Sequence, residues 1–143
     1  MAELKGQYHH TLDQKNRLLI PSKLRDILGE TFILFMAQNG DKCLFAYTLE
    51  DWDVLMEKLN SGETSHELTA MQRFVHAFSD TVDVDKQGRI TIKQNFMDFA
   101  GLSHNVFILG AGRRVEIWDE DEWNNMMKGI AENGELPKIN LAF

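Results

Sequence analysis

The chain has 143 residues, which at about 100 to 200 residues per domain allows one domain, or two small ones sharing a core, and excludes a large multi-domain enzyme. Its 43% hydrophobic and 26% charged residues give an ordinary globular balance that argues against global disorder. The longest apolar run, Phe32 to Ala37, falls far short of the ~20 residues of a membrane span. The net charge of −7 argues against indiscriminate binding to nucleic acid, but the charge is uneven. Residues 1 to 25 carry Lys5, Lys15, Arg17, Lys23 and Arg25 against Glu3 and Asp13, a local +3 that leaves −10 on the remainder. Such a distribution fits a protein that turns one edge to an anion. The opening segment MAELKGQYHH lacks the apolar stretch of a secretory signal, so a cytoplasmic location is expected. The single cysteine, Cys43, excludes an internal disulfide and reads as a small buried strand residue.

In chain order, an extended segment Gln7 to Leu12 leads into Asp13-Gln14-Lys15-Asn16-Arg17 and a second β-rich run, Leu18 to Ile20, which together predict a β-hairpin. Asn16 stands where a tight loop needs a positive φ, which Asn tolerates. Pro21 presets the first turn of a short helix with Leu24, Ile27 and Leu28 as its apolar stripe and Gly29 as its stop. Phe32 to Met36 and Leu44 to Tyr47 predict a strand pair about Asn39-Gly40. Thr48-x-x-Asp51 then caps a helix whose Trp52, Leu55, Met56 and Leu59 are expected in the core. Ser61 to Ser65 reads as a polar hinge. Thr64-x-x-Glu67 opens an amphipathic helix with Leu68, Met71, Phe74, Val75 and Phe78, expected to pack across two joined halves or to supply a subunit contact.

From here the chain repeats itself. A shift of 72 positions lays Leu12 to Gly29 on Val84 to Gly101, with Asp13 on Asp85, Arg17 on Arg89, Ile20 on Ile92 and Leu24 on Phe96. A shift of 71 lays Leu44 to Trp52 on Val115 to Trp123. The second copy therefore predicts a strand Thr81 to Val84, an Asp85-Lys86-Gln87-Gly88-Arg89 turn and a run Ile90 to Ile92. A helix ending at Gly101 and a strand pair, Val106 to Leu109 with Val115 to Trp118, follow. Asp119-x-x-Glu122 caps the last helix, with Trp123, Met126, Met127 and Ile130 on its core stripe. The expected organisation is a first repeat with its trailing helix over 1–60 and a linker helix over 61–79. A second repeat with its helix spans 80–131 and a C-terminal tail spans 132–143, the two repeats sharing one core.

The repeated Asp-x-x-x-Arg turn is the candidate site. Asp13, Asp85 and Gly88 read as structural, each acid closing its turn by an ion pair with its arginine, worth ~0 to 1 kcal/mol when exposed. Lys15 and Arg17, with Gln14 and Asn16, stand on a protruding loop that can meet phosphates or offer a guanidinium fork to guanine, and a two-stranded ribbon fits the major groove. The first copy reads as the better binder, because Lys5, His9, His10, Lys23 and Arg25 lie near its loop in sequence. The second has Lys86, Arg89 and Lys93 among many acids and is expected to serve mainly as structural partner, with Arg89 able to touch phosphate. His9 and His10, adjacent on a strand, point to opposite faces, a poor geometry for holding a metal with Asp13. Glu50, Asp51, Asp53 and Asp119 to Glu122 occupy first turns of helices, where the macrodipole favours acids. With no GxSxG, HExxH or GxxxxGKS/T motif, and no GxGxxG following a strand, neither catalysis nor a cofactor is expected.

Two copies of Asp-x-x-x-Arg, the first within LDQKNRLLIPSKLR and the second within VDKQGRITI, together with EIWDEDEW, closely resemble the MraZ family over about residues 4 to 128. The resemblance implies a bacterial transcriptional regulator of the AbrB-like swapped-hairpin class. Its fold is then mainly β with α (α+β), two tandem repeats interleaving their hairpins as a pseudo-dimeric β-barrel flanked by helices. The resemblance further implies a nucleoid-associated repressor whose chains form homo-oligomeric rings and whose first-half loops bind direct repeats in the promoter of the division and cell-wall gene cluster. Arg17 matches the arginine associated with DNA contact, Lys15 the basic residue two before it and Asp13 the hairpin acid, while Arg89 and Asp85 match the second motif. The chain departs from the family pattern at Asn16, where Gly is more usual, and at Lys93-Gln94-Asn95-Phe96-Met97, which replaces an Ile-Pro-x-x-Leu-Arg continuation. On the residues alone, the alternative is an oligomeric protein-interaction scaffold using the acidic surface. A small hydrolase or metal enzyme around His9, His10 and Asp13 is the least favoured reading.

Overall fold

The computed structural model describes residues 3–134, so nearly all of the expected tail lies outside the described residues. The first half consists of β1 (Leu4–Thr11), β2 (Arg17–Leu19), α1 (Ser22–Leu28), β3 (Thr31–Met36), β4 (Leu44–Thr48) and α2 (Leu49–Asn60). Helix α3 (His66–Ala77) leads to β5 (Ser79–Asp83), β6 (Arg89–Thr91), α4 (Gln94–Ala100), β7 (Asn105–Gly112), β8 (Val115–Asp119) and α5 (Glu120–Glu132). Each repeat thus has the four strands its sequence predicts, and α1 and α4 are both seven residues long, stopped by Gly29 and Gly101.

The two arms of each predicted hairpin do not pair with each other, which corrects the sequence reading. β1 lies antiparallel to β7, from Leu4↔Gly112 to Thr11↔Asn105, and β5 lies antiparallel to β3. β2 pairs with β6 as a separate two-stranded ribbon. The local pairs β3–β4 and β7–β8 form as expected, and β4 meets β8 at the centre of a six-stranded sheet of order β1-β7-β8-β4-β3-β5. Numbered by place within each repeat, this order reads 1-3-4-4-3-1, so the halves are exchanged about a pseudo-twofold axis. An isolated two-stranded hairpin is marginal in water. Exchange instead gives all eight residues of β1 a partner on β7 and buries Leu18 and Ile90 against each other. Among the described residues β1 and β5 remain sheet edges, so the strands form an open sheet plus a ribbon, and the expected pseudo-dimeric β-barrel is not closed.

One core joins both halves, with Leu18, Ile20, Leu24 and Phe32 packed among Ile90, Ile92, Phe96 and Ile108. On the other face of the sheet, Trp52 of α2 packs with Ile33 and Val75, and Trp123 of α5 stacks on Phe107 at 4.3 Å between ring centroids. The caps form where Thr48 Oγ1 accepts from Asp51 N (3.0 Å) and Asp119 Oδ2 from Glu122 N (3.3 Å). In α3 the cap moves one residue past Thr64, to Ser65, whose hydroxyl accepts from Leu68 N. The α2 and α5 stripes are only partly core: Trp52 is buried, but Leu55 and Met127 are each 37% exposed. Helix α3 does not bridge the halves. It packs on α2 and β3 through Val75, with Gln72 Nε2 donating to Asn60 Oδ1 at 2.7 Å, because it must return the chain to β5 at the edge beside β3. Cys43 is fully buried, and that burial pushes its thiol pKa up. Among the described residues no helix is long and apolar enough to cross a membrane.

Candidate nucleic-acid interface

The ribbon pairs Arg17 with Thr91, Leu18 with Ile90 and Leu19 with Arg89. Strand alternation turns the fully buried Leu18 and Ile90 to the core, leaving Arg17, Leu19, Arg89 and Thr91 on the outer face. Because the strands are antiparallel, the two Asp-x-x-x-Arg turns lie at opposite ends of this face.

The turns are built alike. Asp13 N donates to Arg17 O and Asn16 N to Asp13 O; Asp85 N donates to Arg89 O and Gly88 N to Asp85 O. One carboxylate oxygen of Asp13 accepts from Lys15 N and Arg17 N, both at 2.9 Å, and the other accepts from Arg17 Nε at 2.6 Å. Asp85 does the same with Gln87 N, Arg89 N and Arg89 Nε. The Arg17 amide, helped by the Arg17 side chain and the Lys15 amide, holds the Asp13 carboxyl below the ordinary carboxylate range, and the Arg89 and Gln87 amides do so for Asp85. Asn16 has φ 58° and Gly88 φ 82°, the left-handed backbone both sequences anticipate. Asp13 and Asp85 therefore do more than close a turn, since each fixes the Nε edge of its arginine; at Arg17 this leaves the Nη end as the part to offer a ligand.

The differences come from the exchange of halves. Ile20 N donates to Gly88 O and Ile92 N to Asn16 O, so each turn sits at the start of the other half's helix. Arg25, on α1, consequently lies against the second turn: a Cβ built on Gly88 would collide with Arg25 Nη1. At the first turn, Asn16 Nδ2 donates to Gln94 Oε1 of α4 at 3.2 Å, and Gln94 donates on to Asp98. Arg89 also reaches diagonally, its Nη1 3.8 Å from Asp13 Oδ2. This changes the expected basic patch. Arg25 joins Lys86 and Arg89 instead of Lys15 and Arg17. Lys23, two residues from Arg25 and so about 200° around α1, is exposed on another side of the helix. Lys5 lies six residues before Thr11 on β1, ~20 Å of strand away from the first turn. Lys93 is held by Asp80 at 3.0 Å. Gln14, Lys15 and Lys86 are exposed on their turns.

Other candidate chemistry does not assemble. His9 lies 2.8 Å from Glu120 and edge-on to Phe107, and no group of three or more His, Cys, Asp or Glu among the described residues is placed to hold a metal. An open cleft of about 510 Å³, lined by Leu4, Ile27, Val54, Leu55, Lys58 and Arg113 among others, borders neither turn.

A family model described as "MraZ protein, putative antitoxin-like" matches the chain twice, at residues 4–75 and 74–137. A protein of Acetivibrio thermocellus named transcriptional regulator MraZ is 48% identical over 121 residues, covering 84% of this chain and 83% of its own. Proteins of the same name from Caldicellulosiruptor bescii and Clostridium acetobutylicum are 46% and 41% identical, over 94% and 82% of this chain and 92% and 82% of theirs.

Proposed function

The chain belongs to the MraZ family, and on that footing we propose that it is a sequence-specific DNA-binding transcriptional regulator, a repressor of the division and cell-wall gene cluster acting in the cytoplasm at the nucleoid. The observation that carries this reading is the outer face of the β2–β6 ribbon, where Arg17 and Arg89 stand between two turns bearing Lys15 and Lys86. A two-stranded ribbon has the width of the major groove, and an arginine whose Nε is pinned presents its Nη pair in a defined direction to guanine or phosphate. Asp13 supplies that pin for Arg17 at 2.6 Å. Lys15 meets the backbone, and the acidic remainder keeps other faces off DNA.

A net charge of −7 leaves each chain a weak binder, so promoter direct repeats are read by several chains joined in a ring, where linked contacts gain ~10² to 10⁴ in avidity. Leu49, Val54 and Leu55 on α2, between 37% and 46% exposed, offer apolar surface for a second copy.

The test is binding of wild type and Arg17→Ala to DNA from upstream of the protein's own gene and to shuffled DNA, across ~50 to 200 mM salt. Wild type should prefer the native DNA and weaken with salt, and Arg17→Ala should lose about 5- to 150-fold. Binding without preference, or an unaffected variant, moves the site off the first turn and favours a protein-interaction scaffold instead.

A further inference from the structure

We infer that Arg25 and the second turn form a phosphodiester-binding site assembled from both halves, so that one chain grips DNA at both ends of its ribbon. The inference rests on the DNA-binding reading above and adds to it a site that the first-turn arginine does not need.

Four observations lead there. The reciprocal bond from Ile20 N to Gly88 O draws the start of α1 onto the second turn. Gly88 is buried within that turn, and the half-buried Arg25 guanidinium occupies the volume that any side chain at Gly88 would fill. Among the described residues no carboxylate lies within 4.0 Å of Arg25 or Lys86, whereas Arg17, Arg89 and Lys93 all have acidic partners. At this turn Arg25, Lys86 and Arg89 thus stand against two carboxylates, Asp85 and Asp13, both of which pair with Arg89 and leave Arg25 and Lys86 uncompensated. Gathering like charges is unfavourable unless an anion completes the set. A guanidinium lodged against a glycine, with no carboxylate partner among the described residues, is suited to the planar, two-pronged recognition of a phosphate.

The site is not duplicated. The position equivalent to Arg25 in the second half is Met97, buried in the core, and the place equivalent to Gly88 is filled by Asn16, bonded to Gln94. The first turn has its reading arginine; the second has the denser positive charge. Placed at opposite ends of a three-residue ribbon, the two divide the work between base contact and backbone contact.

The experiment measures the salt dependence of binding by the full-length chain to DNA from upstream of its own gene. A lost phosphate contact should shrink the slope of log K against log salt by about 0.9. Arg25→Gln and Lys86→Gln should each do so and weaken binding by about 3- to 30-fold near physiological salt, without altering preference for native over shuffled DNA. Arg25→Lys, which keeps the charge, should restore the slope. If wild type binds and Arg25→Gln keeps the wild-type slope, the inference falls while the DNA-binding reading stands. If wild type shows no salt-dependent binding, both fall. Should Arg25→Gln fail to fold, Lys86→Gln decides: it is exposed on the turn, and an unchanged slope overturns the site.

Discussion

The two turns of the ribbon share their backbone bonds, their left-handed residue and their acid-to-arginine clasp, and they differ in what the opposite half lays against them. The first receives a neutral amide, Gln94, bonded to Asn16; the second receives the Arg25 guanidinium, seated on Gly88. Duplication therefore fixed a frame, and divergence in the neighbouring helix changed its surroundings. A site in an exchanged fold takes its character from the other copy of the repeat, so charge counted along one copy is counted at the wrong place.

The comparison breaks first at the shared centre. Leu18 and Ile90 are cross-strand partners and fully buried, so Leu18→Ala and Ile90→Ala should each cost about 3 kcal/mol of unfolding free energy and agree within about 1 kcal/mol. Urea titration checks this, and a large disparity would show that the halves do not contribute equally to one core. Gly88→Ala comes next, at about 1 to 2 kcal/mol, since it combines a φ of +82° with displacement of Arg25. On an Arg25→Gln background the same substitution should cost less, and a double-mutant cycle measures the difference. Asn16→Gly, at the matching place, should stay within about 0.5 kcal/mol, because glycine relieves the positive φ while one exposed hydrogen bond is lost. The smallest effect is on pH. Asp13 and Asp85 have lowered carboxyl pKa values in the folded chain, so their contribution is present above the ordinary value near 3.8 and is lost as pH falls below it through the folded value. Asp13→Asn and Asp85→Asn should each flatten the acid limb of a melting-temperature profile, and to a similar extent.

Much of this was legible in the residues. The shift of 72 positions located both turns, and Asn16 opposite Gly88 identified the left-handed position in each. The caps at Thr48 and Asp119 followed from oxygen-bearing side chains three residues before an amide they could accept from. Strand partners were not legible, because alternation records which face of β1 is buried and says nothing of whether β2 or β7 lies beside it. The Arg25 contact was hidden for the same reason. One signal did exist: relative to its copy, the chain changes Gly to Asn at 16 and Arg to Met at 97, the two components of a contact that the second turn keeps and the first lacks. Two departures from a repeat that occur together are a pointer to touching residues.

The exchange also sets a timetable. Tyr8 of β1 pairs with Ile108 of β7, one hundred positions later, so a nascent chain made at ~5 to 20 residues per second holds β1 without its partner for several seconds at least. During that interval the first arm is an open strand edge, and the β7 of a neighbouring chain offers the same complementary surface as its own. Covalent linkage of the two copies resolves the competition, because the tethered partner arrives at a far higher effective concentration than any rival.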